Sequence, residues 1–434
     1  MMRVLFVALF LWCALAVPAE ATQQWLVVSD IHFDPFASNA EPSGYGSDSN
    51  AALLDSALAR MRAVEAHPAV VVLVGDLLAH HFAARARRYG ARPEDAALNA
   101  MRAIATRFSK AYPGTPFIVA LGNNDDYCGD YRSESRGSYQ RDLARIWSPL
   151  VARANPRNTF DASFVHGGYY SVEVGRPRVR VLVLNDVPWS IFARGSCDSS
   201  RARLAADERA WFARKLAQGR ATVIVGHIPP GVDAGATAIL RGLWKVPFLK
   251  SADEHALERG IDSGGVRFAL FGHTHRFDLR AVGAVPAIIA GSISPVYGNN
   301  PAFYTLSLDG AGNPIDVRAT YYDEVRGRWR SARSLDRAFG VTRMNRATFA
   351  QIHASIAADT RVRARWEAQA VSWSSVAMPS WRYAWCAQNV RSRGYMRCAG
   401  LGWRVAMLWS AICGVCGALG WLIWRRFRLA SKHR

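Results

Sequence analysis

Residues 268–275 read FALFGHTH: four apolar residues, a glycine, then two histidines separated by one threonine. A short apolar run closed by a turn residue is the signature of a buried strand. Glycine lets the chain turn sharply as the strand ends and leaves room beside the residue that follows. The same grammar recurs upstream. Residues 25–28 lead to Asp30-Ile31-His32, 70–74 to Gly75-Asp76, 117–121 to Gly122-Asn123-Asn124-Asp125, and 222–225 to Gly226-His227. Any one of these pairs is unremarkable in a surface or a core. Five in order, each at a strand end, describe one site assembled from separate segments.

Helical patterns fill the intervals, at 51–66, 96–112 and 205–218. Strand–helix alternation predicts an α/β fold. The pattern changes after Asp316, and 344–370 is helix-like. The expected organisation is a main domain over 22–318 and a smaller helical cap or stalk over 319–403.

The residue types at the strand ends point to metal chemistry. Imidazole and carboxylate ligands suit Zn, Mn or Fe, and the set contains no thiolate of the kind structural zinc sites use. A carboxylate can bridge two cations, and a pair ~3.5–4 Å apart clamps a phosphoryl group and activates water.

Together the five blocks resemble the calcineurin-like metallophosphoesterases, and within them the acid sphingomyelinase-like branch, from Trp25 to about Leu308. Branch-level likeness lies in Tyr45-Gly46-Ser47-Asp48, Gly168-Tyr169-Tyr170-Ser171, SISPVYGNNPAF at 292–303, and the stretch 383–398 with Cys386 and Tyr395-x-x-Cys398. Ser47 stands where secreted animal relatives usually carry cysteine. The resemblance implies a four-layer αββα sandwich with a dimetal site at the strand ends. It assigns Asp30, His32, Asp76 and His275 to one cation and Asp76, Asn123, His227 and His273 to the other, with Asp76 bridging. His80 matches a histidine that the branch places over the phosphate.

The third block departs from the family. It usually reads Gly-Asn-His, and the histidine assists phosphate binding and leaving-group protonation; here the position is Asn124. Asparagine donates a hydrogen bond but delivers no proton. Either His80 supplies the proton, or the leaving group needs none, as when phosphate leaves a polyphosphate. Gly-Asn-Asn-Asp also resembles the endopolyphosphatase members of the branch. The expected activity is hydrolysis of phosphodiester or phosphoanhydride bonds by metal-bound hydroxide, with His80 and Asn124 as the catalytic side chains. The alternatives are a sphingomyelinase-like phospholipid phosphodiesterase and a metal-binding protein without turnover.

Composition bounds the rest. At 434 residues, 50% hydrophobic and 20% charged, the chain is too charged for a polytopic membrane protein and too apolar for a disordered one. The net charge is +20, and the body over 22–403 keeps about +14 of it, which favours an anionic substrate or surface. Arginine supplies most of it, and specific nucleic-acid recognition is not expected.

The ends read as targeting segments. Arg3, an apolar run over 4–17 and Ala19-Glu20-Ala21 predict a signal peptide over 1–21. Residues 405–424 carry no charge, and Arg425, Arg426, Arg428, Lys432 and Arg434 follow. That pattern predicts a single transmembrane helix, a body outside the cytoplasm and a cytoplasmic tail over 425–434. Cys128, Cys197, Cys386 and Cys398 remain for an oxidising compartment. Three pairings are open, of which Cys128–Cys197 with Cys386–Cys398 is preferred.

Overall fold

The computed structural model describes residues 23–430 apart from 135, 156–159, 176–177, 196, 198–200, 241–242, 263–264, 284, 333, 342, 370–380 and 389–393. The expected signal peptide lies outside the described residues. In chain order the strands are β1 (Gln23–Val28), β2 (Val70–Val74), β3 (Phe117–Ala120), β4 (Tyr170–Val174), β5 (Val179–Val183), β6 (Thr222–Val225), β7 (Val266–Phe271), β8 (Asp278–Val282), β9 (Val285–Ile289), β10 (Ala302–Leu308), β11 (Pro314–Asp323) and β12 (Arg328–Ser331).

They form two six-stranded sheets, ordered β12-β11-β10-β1-β2-β3 and β4-β5-β6-β7-β9-β8. In the first, β1, β2 and β3 run parallel, and β10 pairs antiparallel to β1. In the second, β5, β6, β7 and β9 are parallel, flanked by antiparallel β4 and β8. Parallel strands buried on both faces read as unbroken apolar runs, and Val70–Val74 is buried throughout.

The sheets pack face to face. Trp25 of β1 and Phe268 of β7 meet across the interface with ring centroids 5.9 Å apart. Alternation along β5 divides its side chains between two cores: Val181 and Val183 face the inter-sheet core, while Leu182 joins Phe212, Leu216, Leu257 and Ile261 from the outer helices Arg201–Leu216 and Ser251–Asp262. On the other side Met61, Ile104 and Phe108 from helices Ala51–Val64 and Pro93–Ala111 cover the first sheet. Asn50 caps the first of these by accepting from Leu53 N at 2.9 Å.

All five expected strands form. The boundary at 318 does not hold, because β11 runs through it and β12 extends the first sheet to Ser331. Their alternating, arginine-containing sequences lack the apolar run that marks the central strands. The expected helix over 344–370 is two helices, Arg346–Ala358 and Thr360–Gln369, broken at Asp359.

Both preferred disulfides are present, Cys128–Cys197 and Cys386–Cys398. The second staples helices Trp381–Ala387 and Tyr395–Cys398 into a unit that packs on Val232 and Ala234.

The expected membrane span is corrected. Residues 405–424 lie in helix Gly402–Ala430, but among the described residues no helix is long and apolar enough to cross a membrane. Ser410, Gly414, Gly417 and Gly420 interrupt its apolar side chains. A single-pass topology and membrane attachment through this helix are therefore not supported.

Candidate metal centre

The parallel strands β1, β2, β6 and β7, with β3, deliver their C-terminal ends to one place, and the backbone there is unusual. Asp30, His32, Asp76, His273 and His275 have φ of 50°, 46°, 51°, 71° and 55°. Non-glycine residues seldom adopt this left-handed region, and they cluster in it at functional sites. The glycines beside them are required for space. A Cβ on Gly122 would run into Asp76 Oδ1, and one on Gly272 would run into Ser29 Oγ. At Gly75, φ is +88° and a Cβ would lie 2.8 Å from His227 Nδ1.

Asp76 is the hub. Its Oδ2 lies 3.5 Å from His32 Nε2 and 3.3 Å from His227 Nε2. Asn123 Oδ1 is 3.2 Å from His227 Nε2. On the other flank His275 Nε2 is 3.0 Å from His32 Nε2 and 3.4 Å from Asp30 Oδ1. Donor atoms within 4.8 Å of one another group Asp76 with His227 and His273, Asp30 with His32 and Asp76, and His32 with His80 and His275. All seven sequence-predicted ligands are thus brought together.

Hydrogen bonds fix which ring nitrogen faces inward. His32 Nδ1 donates to Leu78 O at 3.1 Å, and His227 Nδ1 donates to Val74 O at 2.7 Å. A carbonyl only accepts, so in the neutral rings each Nε2 presents a lone pair. Lone pairs and carboxylates converging in a buried space fit a divalent cation of the imidazole-binding type.

The electrostatics agree. Burial drives Asp30 up to about 7, and burial with the charge of His80 takes His32 down to about 4. Burial opposes the charge of Asp76, yet His227 outweighs it and holds the carboxylate well below its usual range. The same pairing lifts His227 to about 10 against its own burial. Asp76 is therefore stabilised as the carboxylate by positive charge beside it.

Two predicted catalytic residues part ways. His80 stacks on His32 with centroids 3.9 Å apart, and its Nε2 lies 3.2 Å from Tyr297 Oη. Its Nδ1 is 2.8 Å from Asp48 Oδ1, and its backbone N donates to Asp48 Oδ2 at 3.0 Å. Burial lowers its proton affinity, but Asp48 more than compensates and the value is raised. Asn124 is different. It is 2% exposed, and its Nδ2 donates to Asp76 Oδ2 at 2.8 Å. Its amide faces the hub rather than the cavity.

Sequence reasoning missed several supports. Asp125 accepts from Leu77 N, Leu78 N and Gly122 N at 2.6, 3.0 and 2.8 Å, tying the second block to the third. Asp186 accepts from His227 N and Ile228 N at 2.9 and 3.0 Å. The signal for Asp186 was available, since VRVLVLND at 179–186 is another apolar run ending in an acid. Tyr131 and Tyr297 line a cavity of about 320 Å³ with His273 and His275.

The Calcineurin-like phosphoesterase family matches residues 25–277, more than half of the chain. Among characterised proteins, the chain is 26% identical to "Sphingomyelinase phosphodiesterase D" of Dictyostelium discoideum over 65% of its own length and 62% of the relative's. It is 25% identical to "Acid sphingomyelinase-like phosphodiesterase 3b" of Mus musculus over 69% of its length and 67% of the relative's. "Endopolyphosphatase" of Schizosaccharomyces pombe is 26% identical over 43% of this chain and 33% of that protein. The chain therefore spans about two thirds or less of these relatives, and they fall in the branch that its motifs resemble. A family match that begins on β1, ends just past His275 and takes in every strand-end ligand leaves one conclusion: this chain belongs to the calcineurin-like phosphoesterase family.

Proposed function

We propose that the chain is a metal-dependent phosphoesterase that hydrolyses phosphodiester or phosphoanhydride bonds at a site holding two divalent cations. The observation that carries this reading is the convergence of Asp30, His32 and His275, and of Asn123, His227 and His273, around Asp76. When bound, such cations polarise phosphoryl oxygens and lower the pKa of water. The chain's own part is positional. Leu78 O and Val74 O hold two imidazoles in register, Asn124 holds Asp76, and Asp48 holds His80 with Nε2 toward Tyr297 Oη. In this reading His80, held by Asp48, is the proton donor to the leaving oxygen.

Two observations favour particular substrates. With Asn124 committed to Asp76, a leaving group that needs little proton assistance, such as phosphate from a polyphosphate, is well matched. Ile239, 76% exposed, lines the cavity beside His273, and Phe192 packs on Tyr131. That apolar lip supports the sphingomyelinase-like reading.

The test compares a bis-aryl phosphodiester, an aryl phosphomonoester and long-chain polyphosphate, with Mn or Zn, against Asp76→Asn. Metal-dependent turnover lost in the variant is expected, and the preferred substrate names the class. Stoichiometric metal with no turnover on any of the three would leave a metal-binding protein or a phospholipid substrate, and sphingomyelin in detergent as a fourth substrate separates these.

A further inference from the structure

The loop after β3 carries Tyr131, and several contacts hold this residue in place. Tyr131 sits in the left-handed region at φ 58°, a strained conformation for an aromatic residue. Its N donates to Asn123 O at 2.6 Å, and its O accepts from Arg194 N at 2.8 Å. The disulfide Cys128–Cys197 ties the same two segments covalently. The ring lies edge-on to Phe192 and to His273, with centroids 5.7 and 6.1 Å away. The hydroxyl ends 3.4 Å from His273 Nε2. Across the cavity Tyr297 takes the matching position against His275, with centroids 4.7 Å apart.

We propose that Tyr131 orients the substrate: its hydroxyl hydrogen-bonds a non-bridging phosphoryl oxygen in the cavity beside His273. Asn124 is buried against Asp76, whereas Tyr131, seven residues on, lines the cavity beside His273. A phenol is a donor throughout the neutral range and is rigid apart from two torsions, so a fixed backbone fixes the hydroxyl. Two partly independent restraints, the hydrogen bonds to Asn123 and Arg194 and the disulfide, supply that fixed backbone. The inference rests on the phosphoesterase reading.

The experiment uses the full chain and Tyr131→Phe, which keeps the ring packing. Both are loaded with Mn, metal content is measured, inorganic phosphate is titrated by calorimetry, and kcat and KM are determined on the bis-aryl phosphodiester. The expected result is equal metal content, phosphate binding weakened fivefold or more, and kcat reduced tenfold or more. Phosphate affinity and kcat both within twofold of the unsubstituted chain would overturn the role of Tyr131 alone. An unsubstituted chain that takes up metal but neither binds phosphate nor turns over would overturn the phosphoesterase reading, and this inference with it.

Discussion

Asn124 grips Asp76 twice: its backbone N donates to Oδ1 and its side-chain Nδ2 to Oδ2, each at 2.8 Å. A residue expected to face the substrate instead orients the carboxylate at the centre of the ligand set. Groups that orient metal ligands typically contribute 10–100-fold in affinity. Asn124→Ala should therefore weaken metal binding about tenfold, as read by competition with a chelating dye. Unchanged affinity would show that the backbone bond alone suffices.

The strand-end glycines should be intolerant of even one methyl group. Gly122→Ala forces a Cβ against Asp76 and Gly272→Ala forces one against Ser29 and Asp30. Overpacking of this kind costs about 1–3 kcal/mol. Each variant should lose metal stoichiometry while keeping a cooperative, lowered thermal transition. Full metal loading in Gly122→Ala would refute the steric account.

Metal uptake should displace protons. In the metal-free protein His227 is raised to about 10 by Asp76, and burial raises Asp30 to about 7. At neutral pH His227 carries a proton that a cation must replace, so apparent affinity should rise with pH through the neutral range. Calorimetric titrations in two buffers of different ionisation enthalpy should give different heats. Identical heats would mean that no proton leaves.

His80 titrates above an ordinary imidazole because Asp48 outweighs its burial. As a proton donor it acts below that value, so cleavage of poor leaving groups should slow as pH rises through it. Asp48→Asn should move this fall to lower pH, and polyphosphate cleavage should show little of it. A profile that Asp48→Asn leaves in place would remove His80 from the role.

The disulfides should differ in worth. Their cysteines are separated by 69 and 12 residues, which chain entropy converts to about 4 kcal/mol for Cys128–Cys197 and about 3 kcal/mol for Cys386–Cys398. Urea unfolding of Cys128→Ala/Cys197→Ala and Cys386→Ala/Cys398→Ala should show losses in that order. No loss in either pair would contradict the entropic estimate.

The site was legible where a ligand directly follows a buried strand, because burial on both faces writes an unbroken apolar run beside each donor. Val70–Val74 before Asp76 is the clearest case. Edge strands such as Arg328–Ser331, with four residues and no buried position, carry no such mark. Asp186 works through backbone N–H groups 41 and 42 residues away, so only the fold reveals its partners. The inward turn of Asn124 and the placement of Tyr131 depend on loop geometry, which has no period to read. The uncharged run at 405–424 has the pattern of a span, but lack of charge alone does not make one: among the described residues no helix is long and apolar enough to cross a membrane.

Asp30, His32, Asp76, His273 and His275 share a left-handed backbone. Each such residue costs about 1 kcal/mol or more, so five together approach the whole net stability of an ordinary domain. The centre is thus a spring held cocked by the two sheets behind it. Weakening the inter-sheet core should therefore loosen the ligand set as well, and metal content measured across a series of core substitutions should fall along with the melting temperature.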